Sequence, residues 1–471
     1  MTKISKIVIS LFFLTFFILF SCISLWRYNT AQVFYYDFGH FERILWLISR
    51  FEIPLIQHKV LGEIHFLGDH FSPSVYLLAP LFWVTGNSQI LLLEQALAIV
   101  ISGYLVFKIA LEEKLQSNIA LGISFVFLLF SGTENPLVSD WHTESTALIF
   151  LLLFLYLFIY KNMRIVGIIS ALIFIGFKDS NALSFFFILI PYFISLKKQR
   201  QNLALLMVFS LFYFYIVSFI ITPLISSQPY LYAPTLPHNP VEYVNNFFNL
   251  EIKRKLLFDI FASFGFLPLL SGFFILPIIG ELSIRLVPVY VHSQSFTLGM
   301  HYNVYLGAFL ALASIIILKS LKDVVLVRFR LRKLLILVVI IIALIVAKKV
   351  TFSPLLLGLN PVFWREWSIL SPTIKKLSCV PKMGSVMSQN NILPHLLQRK
   401  EDVYLLSTQY KKVKPDFIII DTLPGQNINN FYSGEISELS QVENLRKIIV
   451  ADPTYFQDTS TCADLLFFRK R

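Results

Sequence analysis

Several groups of ionisable and aromatic residues recur at the ends of apolar stretches of this chain, and their side chains are of the types used in group transfer. The groups are Tyr36-Asp37, His65 with Asp69-His70, Asp140-Trp141-His142 with Glu144, Lys178-Asp179, and Arg285 with His301-Tyr302. A carboxylate such as that of Asp37 can take the proton of an acceptor hydroxyl as a general base. Lys178, Arg285 and the histidines can hold a phosphate leaving group. Tyr36 and Trp141 offer flat faces to a sugar ring.

Two of these groups are also compatible with a divalent cation, because they combine carboxylates with imidazoles. They are Asp69 with His70, and Asp140 with His142 and Glu144. The spacing supports neither strongly, so we assign no metal ligand and no other cofactor. The alternative for all of the ionisable groups is that they pair with one another and only hold helices together.

The composition is that of a membrane protein. Of the 471 residues, 56% are hydrophobic and 14% are charged, whereas a soluble domain carries about 25% charged residues. The net charge of +12 comes from Lys and Arg in short clusters between apolar runs. Such clusters set membrane orientation, so we expect membrane lipid and no nucleic acid as a partner.

The apolar runs predict a polytopic α-helical protein with about eleven spans, since a span needs about 20 apolar residues. Lys and Arg favour cytoplasmic loops, which puts the N-terminus in the cytoplasm. The first run, Ile7–Leu25, then leads to a long outer loop, residues 26–88, in which Val75–Val84 lies at the membrane interface. The later runs are Ile90–Ile109, Ile119–Phe130, Ser145–Tyr160, Ile165–Phe177, Ala182–Leu196, Asn202–Leu224, a pair within 256–300, Tyr302–Leu318 and Leu334–Ala347. A cleaved signal peptide in place of the first span is the alternative.

Residues 352–471 contain no long apolar run and predict a small extracytoplasmic α/β domain, which follows a transmembrane domain of residues 1–351. The run between Asp416 and Asp421 is typical of a buried central strand. Cys379 and Cys462 lie in this part of the chain. They would pair only in an oxidising compartment, and two free thiols are the alternative.

The chain resembles a family of uncharacterised polytopic bacterial membrane proteins of unknown function, which is itself similar to the GT-C glycosyltransferases. The resemblance rests on Tyr36-Asp37-Phe38-Gly39, His70-Phe71-Ser72-Pro73, Asp140-Trp141-His142-Thr143-Glu144, Lys178-Asp179 and His301-Tyr302. It implies a GT-C-like fold, with Asp37 as the acid of the first outer loop and Asp140 as a second catalytic acid beside the donor. The position of Asp179 is commonly Glu in the family, which leaves the role of this residue open.

These observations lead to a hypothesis of a membrane glycosyltransferase in the cytoplasmic (inner) membrane. It would move a sugar from a polyprenyl-phosphate donor to an extracytoplasmic acceptor. The alternatives are a transporter or lipid-handling protein, and a non-catalytic assembly protein of the cell envelope. A transporter would place its charges at mid-membrane in two corresponding halves, and the sequence shows no such internal symmetry.

Overall fold

The chain is mostly helical, as the apolar runs predict, and carries a small sheet near its C-terminus. The computed structural model describes residues 3–58, 62–289, 293–323, 329–349, 353–365, 376–423, 426–431, 436–462 and 465–471. The predicted boundary between residues 351 and 352 lies outside these ranges.

Five helical segments are long and apolar enough to cross a membrane. They are Ile4–Asn29, Gln89–Glu112, Thr143–Tyr160, Lys197–Ser226 and His301–Leu321. A sixth span is formed if Ser117–Leu129 and Ser131–Leu137, which meet at a 61° bend, are taken together. These segments confirm a protein with several membrane spans. Five or six is the number that length and composition support within the described residues, against about eleven expected from apolar runs.

The difference arises because several predicted spans form helices of less than full length. Arg164–Ile175 and Asn181–Ser195 are apolar but have only 12 and 15 residues. At 1.5 Å per residue such helices reach about 18 and 22 Å, less than the hydrocarbon thickness of about 30 Å. The predicted interfacial segment is also a short apolar helix, Pro73–Val84.

The helices of the membrane part are numbered in chain order. They are α1 (Lys3–Asn29), α2 (His40–Ser49), α3 (Leu81–Val84), α4 (Gln89–Glu112), α5 (Ser117–Leu129), α6 (Ser131–Glu134), α7 (Thr143–Phe154), α8 (Arg164–Ile175), α9 (Asn181–Ser195), α10 (Arg200–Ile216), α11 (Thr222–Ser226), α12 (Pro240–Phe248), α13 (Glu251–Ala262), α14 (Leu276–Leu286), α15 (Val304–Asp323), α16 (Phe329–Lys349) and α17 (Pro354–Leu357). Wider π-helical turns occur at Tyr35–Gly39, Leu155–Tyr160 and Val217–Ile221.

Two sheets are present in the described part of the chain. An antiparallel pair joins β1 (Leu55–His58) to β2 (Gly62–His65). A mixed five-stranded sheet contains β3 (Val386–Ser388), β4 (Val403–Leu405), β5 (Phe417–Ile420), β6 (Tyr455–Gln457) and β7 (Leu466–Lys470). Its order is β4-β3-β5-β7-β6, with β3 parallel to β4 and β5 and with β7 antiparallel to β5 and β6. Helices Tyr410–Val413 and Leu439–Ala451 accompany it.

The chain folds as two compact units. The first contains Met1–Cys22, Leu67–Val75 and Glu94–Leu359, and the second contains Ile23–Phe66, Tyr76–Leu93 and Asn360–Arg471. The long loop after the first span is therefore divided between them, and most of it belongs to the same unit as the C-terminal sheet.

The second unit has apolar layers on both faces of its sheet. All four residues of β5 are buried. Phe417 and Ile419 face one layer, and Ile418 and Ile420 face the other, because side chains alternate along a strand. This confirms the predicted central strand. Tyr35 belongs to the first of these layers, which also contains the disulfide-bonded Cys462.

Candidate functional site

The side chain of Glu144 joins two other predicted site residues within the first unit. Its Oε1 accepts a hydrogen bond from Lys178 Nζ at 2.7 Å and lies 3.8 Å from His301 Nε2. Glu144 stands in the first turn of α7, Lys178 in the turn between α8 and α9, and His301 at the start of the span that contains α15. A carboxylate in the first turn of a helix is stabilised by the helix dipole. The ends of two spans and the turn between two shorter apolar helices thus meet at one carboxylate.

Lys178 is held as an ammonium at this point. Burial favours its neutral form, but the charge of Glu144 outweighs burial and raises the pKa of Lys178 above its ordinary value. Its side chain keeps 20% of its exposure, and Glu144 keeps 10%. An ammonium carries three N–H donors, and the ion pair with Glu144 uses one of them. The remaining donors suit an anionic oxygen.

A layer of hydrogen bonds from α4 fixes the segment that leads into α7. Gln95 donates to the carbonyls of Pro136 and Asp140 at 2.8 and 3.0 Å, and it accepts the amide of His142 at 2.9 Å. Asp140 itself has a φ of +74°, a backbone conformation that L residues adopt at some cost. The fully buried Gln95 therefore holds a sharp turn directly before Glu144.

Trp141 is held by Glu94, which precedes Gln95 in α4. Its indole N–H donates to Glu94 at 2.9 Å, and Thr146 donates to the other oxygen of Glu94 at 2.7 Å. The ring of Trp141 is fully buried. In this arrangement Trp141 anchors the segment and does not present an open face to a sugar.

The rings of His142 and His301 stack at 3.6 Å with a 24° interplanar angle. His142 Nε2 contacts the carbonyl of Ser139 at 2.6 Å, whereas the buried Nδ1 of His301 has no hydrogen-bond partner among the described residues. Tyr302 lies against His301 with ring centroids 4.2 Å apart. His301 therefore retains a ring nitrogen for a ligand.

One ligand atom from each of His142, Glu144 and His301 falls within 4.8 Å of the others, a spacing compatible with a metal ion. The residue types fit a divalent cation. However, the ammonium of Lys178 already occupies the Glu144 oxygen, and a cation there would be repelled by it. The charges favour an anion over a metal ion.

Arg285 lies nearby in α14 but is largely engaged by the protein. Its two terminal nitrogens donate to the carbonyl of Ser295 and to the side chain of Asn303, both at 3.0 Å. Only its Nε has no partner among the described residues. Arg285 contributes a fixed positive charge, whereas Lys178 has more donors to offer.

A second ion pair is formed by the residue that follows Lys178. The fully buried Asp179 places Oδ1 and Oδ2 at 3.2 and 3.1 Å from His70 Nδ1. Burial alone would raise the pKa of Asp179, but His70 and Lys178 outweigh it and hold this pKa below its ordinary value. The ring of His70 stacks on Tyr232 at 4.0 Å and 11°, and Tyr232 donates to Asp69 at 2.6 Å.

The loop that carries Asp69 and His70 is tied to the turn between α8 and α9. The amide of Ser74 donates to the carbonyl of Gly176 at 2.8 Å. A Cβ at Gly176 would overlap the Ser74 hydroxyl, so a larger residue would require this hydroxyl to turn away. Asn181 closes the same turn by donating to the carbonyl of Phe174 at 2.9 Å.

Tyr36, Asp37 and His65 belong to the second unit. Asp37 is half-buried on the π-helical turn Tyr35–Gly39. The backbone amides of Tyr35 and Tyr36 donate to the side chain of Asn390 at 2.9 and 3.3 Å, which fixes the turn. His65 ends β2. The meeting of Asp37 with Asp140 and Lys178 stays a prediction.

Sequence reasoning missed Glu94 and Gln95. Both lie inside a long apolar run, Ile90–Ile109. A carboxylate and an amide in such a run cost free energy unless they are paired. Their presence in an apolar run could therefore have marked Glu94 and Gln95 as residues with buried polar partners.

A family model described as "Predicted membrane protein (DUF2079)" matches residues 25–448. The match includes every site residue described above. No protein of curated function matches the chain.

Proposed function

We propose that this chain, which belongs to the DUF2079 family of membrane proteins, transfers a sugar from a polyprenyl-phosphate donor to an extracytoplasmic acceptor. The observation that carries the proposal is the contact of Glu144 with Lys178 and His301 at the ends of apolar helices. A lipid-linked phosphate carries its charged group at the membrane surface, close to helix ends of this kind, while its hydrocarbon chain remains in the bilayer.

The phosphate is bound by the donors of Lys178 that Glu144 does not use and by His301, in the field of Arg285. A donor of the polyprenyl-phosphate class carries a phosphodiester with one negative charge. Charge-assisted hydrogen bonds from an ammonium to phosphate oxygens are among the stronger polar contacts. Positive charge placed where the leaving group gains charge lowers the barrier to transfer.

The acceptor hydroxyl is activated by a carboxylate, which the GT-C resemblance assigns to Asp37. The acceptor oxygen attacks the anomeric carbon, its proton passes to Asp37, and the bond to the phosphate oxygen breaks with inversion. Asp140 is the second acid beside the donor by the same resemblance. An Asp37→Asn variant keeps the shape of the side chain and loses the base. It should remain in the membrane without transferring sugar.

The proposed orientation puts the N-terminus in the cytoplasm and the C-terminal sheet outside. The disulfide between Cys379 and Cys462 supports this orientation, because disulfides persist in oxidising compartments. Lys161 follows the π-helical turn that continues α7, Arg164 begins α8, and Lys197 follows the end of α9. This agrees with the preference of basic residues for the cytoplasmic side.

A transporter of lipid-linked substrates is a second candidate, supported by the 61° bend between Ser117–Leu129 and Ser131–Leu137. Broken helices of this kind form the binding sites of many transporters. Flux of a prenyl-phosphate sugar across proteoliposomes, without chemical change of the sugar, would favour this candidate.

The proposal is tested by the binding of farnesyl phosphate, a short prenyl phosphate, to the purified protein in detergent. Lys178→Met should lose binding. Lys161→Met is the matched control. Lys161 lies before the start of α8, whereas Lys178 lies after its end, and Lys161 pairs with Glu112. In cells without the protein, the polyprenyl-phosphate sugar that it consumes should accumulate. Equal binding by both variants and an unchanged lipid profile would contradict the proposal.

A further inference from the structure

We propose that His70, oriented by Asp179, donates a proton to the phosphate leaving group of the transfer reaction. This inference rests on the proposed function and adds a proton donor to it. The sequence pattern places His70 among the residues that can hold a phosphate or a divalent cation, and it leaves the role of Asp179 open.

The imidazole is fixed through one nitrogen and open at the other. His70 Nδ1 is bound by both oxygens of Asp179 at 3.1 and 3.2 Å. The side chain of His70 retains 25% exposure, whereas Asp179 has none. Among the described residues, no contact engages His70 Nε2. A carboxylate that holds Nδ1 sets the orientation of the ring and presents Nε2 to a reacting group.

The surroundings restrict the ring to this position. Tyr232 stacks almost parallel to it, and Tyr232 is held by Asp69. The buried Asp179 also accepts the amide of Ser180 at 2.6 Å. Because Asp179 has no solvent exposure, its carboxylate acts through its direct partners, of which His70 is one.

The position of this pair along the chain links it to the phosphate site. Asp179 follows Lys178 directly, so their Cα atoms are about 3.8 Å apart. The two side chains diverge from one turn, one to Glu144 and the other to His70. After the larger effect of His70, the charge of Lys178 also contributes to the lowered pKa of Asp179.

The proposed step balances in atoms and charge. The acceptor oxygen forms a bond to the anomeric carbon, and the acceptor proton passes to the base. The bond from the anomeric carbon to the phosphate oxygen breaks, and its electron pair stays on that oxygen. The His70 imidazolium transfers its Nε2 proton to the phosphate, giving a neutral imidazole and a polyprenyl-phosphate monoanion. Exchange with solvent then returns the base and the imidazole to their starting states.

The test compares wild-type protein with His70→Ala in proteoliposomes supplied with a panel of polyprenyl-phosphate hexoses. The measurement is the amount of sugar transferred from the donor to an acceptor, recovered in either the lipid or the aqueous fraction. His70→Ala should lower kcat by about 10²-fold or more, with KM and farnesyl phosphate binding nearly unchanged. Millimolar imidazole should restore part of the lost kcat, because it can occupy the space of the missing ring. Asp179→Asn should lower kcat without rescue.

The control is His238→Asn, since His238 is exposed on another loop of the same unit. Wild-type kcat in His70→Ala would overturn the inference and leave the proposed function intact. Loss of farnesyl phosphate binding, or loss of kcat that imidazole does not restore, would also overturn it by showing a structural role. Failure of the wild-type protein to turn over any donor would reject the proposed function, and this inference with it.

Discussion

Gln95 and His142 are joined by a hydrogen bond of 2.9 Å from the backbone amide of His142 to the side chain of Gln95. The same amide group of Gln95 reaches the carbonyls on both sides of the turn before α7. A single side chain in a membrane span thus satisfies three buried backbone groups. The position of Glu144 depends on a residue outside the cluster of charges.

Gln95→Leu should therefore destabilise the protein and weaken phosphate binding. The substitution leaves three buried backbone groups without partners, and each such group costs about 1–3 kcal/mol. Thermal unfolding in detergent should show a clearly lower Tm. Ser102→Ala in the same helix is the control, because the hydroxyl of Ser102 donates to the carbonyl of Ala98, one turn earlier in its own helix. Equal Tm values for the two variants would show that Gln95 does not hold the turn.

Lys178 and Glu144 should behave as one unit in a double-mutant cycle. Lys178→Met leaves the Glu144 carboxylate poorly paired, and Glu144→Gln does the same to the ammonium. Removing one partner of a buried pair costs about 3–5 kcal/mol, whereas removing both costs much less than the sum. The free energies of unfolding of the two single variants and the double variant measure this coupling. Additive effects would mean that the ion pair of 2.7 Å contributes nothing to stability.

The second unit should lose stability as pH rises from mildly acidic to mildly alkaline. Glu42 is fully buried, and burial raises its pKa to about 8, against a contribution of the opposite sign from Ser88. The folded state therefore binds a proton that the unfolded state, with the ordinary value of 4.5, releases. Between these two pH values stability falls as pH rises. Below this window both states hold the proton, and above it the full penalty is present.

Glu42→Gln should remove this dependence, because its side chain stays neutral at every pH. The measurement is the Tm of the purified protein at pH 5 and at pH 8.5, with loss of the structure of the C-terminal sheet as the signal. Glu443→Gln, at an exposed position, should keep the wild-type response. A pH-dependent Tm in Glu42→Gln equal to that of wild type would assign the effect to another group.

The disulfide between Cys379 and Cys462 should stabilise the second unit. It closes a loop with a sequence separation of 83 residues, and loss of a native disulfide typically costs about 2–5 kcal/mol. Cys379→Ser should lower the temperature at which protease cuts the C-terminal part, and reduction of the wild-type protein should have the same effect. Cys22→Ser removes the free cysteine and should change neither result. Insensitivity of the wild-type protein to reduction would contradict this prediction.

The sequence predicted the elements that carry the site better than the contacts between them. Asp140–Glu144, Lys178 and His301 were expected at the ends of apolar runs on one face, and Glu144 does contact Lys178 and His301 within the first unit. Helix ends on one side of a membrane lie near one plane. The alternating direction of the apolar runs therefore predicts that these residues lie on the same side, although it does not predict their contacts. His70 and Asp179 are 109 positions apart in the sequence, and no feature of the sequence near either residue predicts that they pair.

Which segments of the chain form the second unit could not be predicted, for a related reason. The contact of Tyr35 with Asn390 joins residues 355 positions apart. Arg43 likewise donates to the carbonyls of Leu397, Lys400 and Glu401. Hydrophobic periodicity describes each segment separately, whereas these bonds depend on which surfaces fit together. The strand at Phe417–Ile420 was predictable because its burial is continuous along the chain.

The central claim is tested most directly by sugar transfer from polyprenyl-phosphate hexoses in proteoliposomes that contain the wild-type protein, Lys178→Met or Lys161→Met. The account predicts that wild type and Lys161→Met consume one donor of the panel, and that Lys178→Met does so at least about 10²-fold more slowly. An inactive wild-type protein, or equal rates for the two lysine variants, would contradict it.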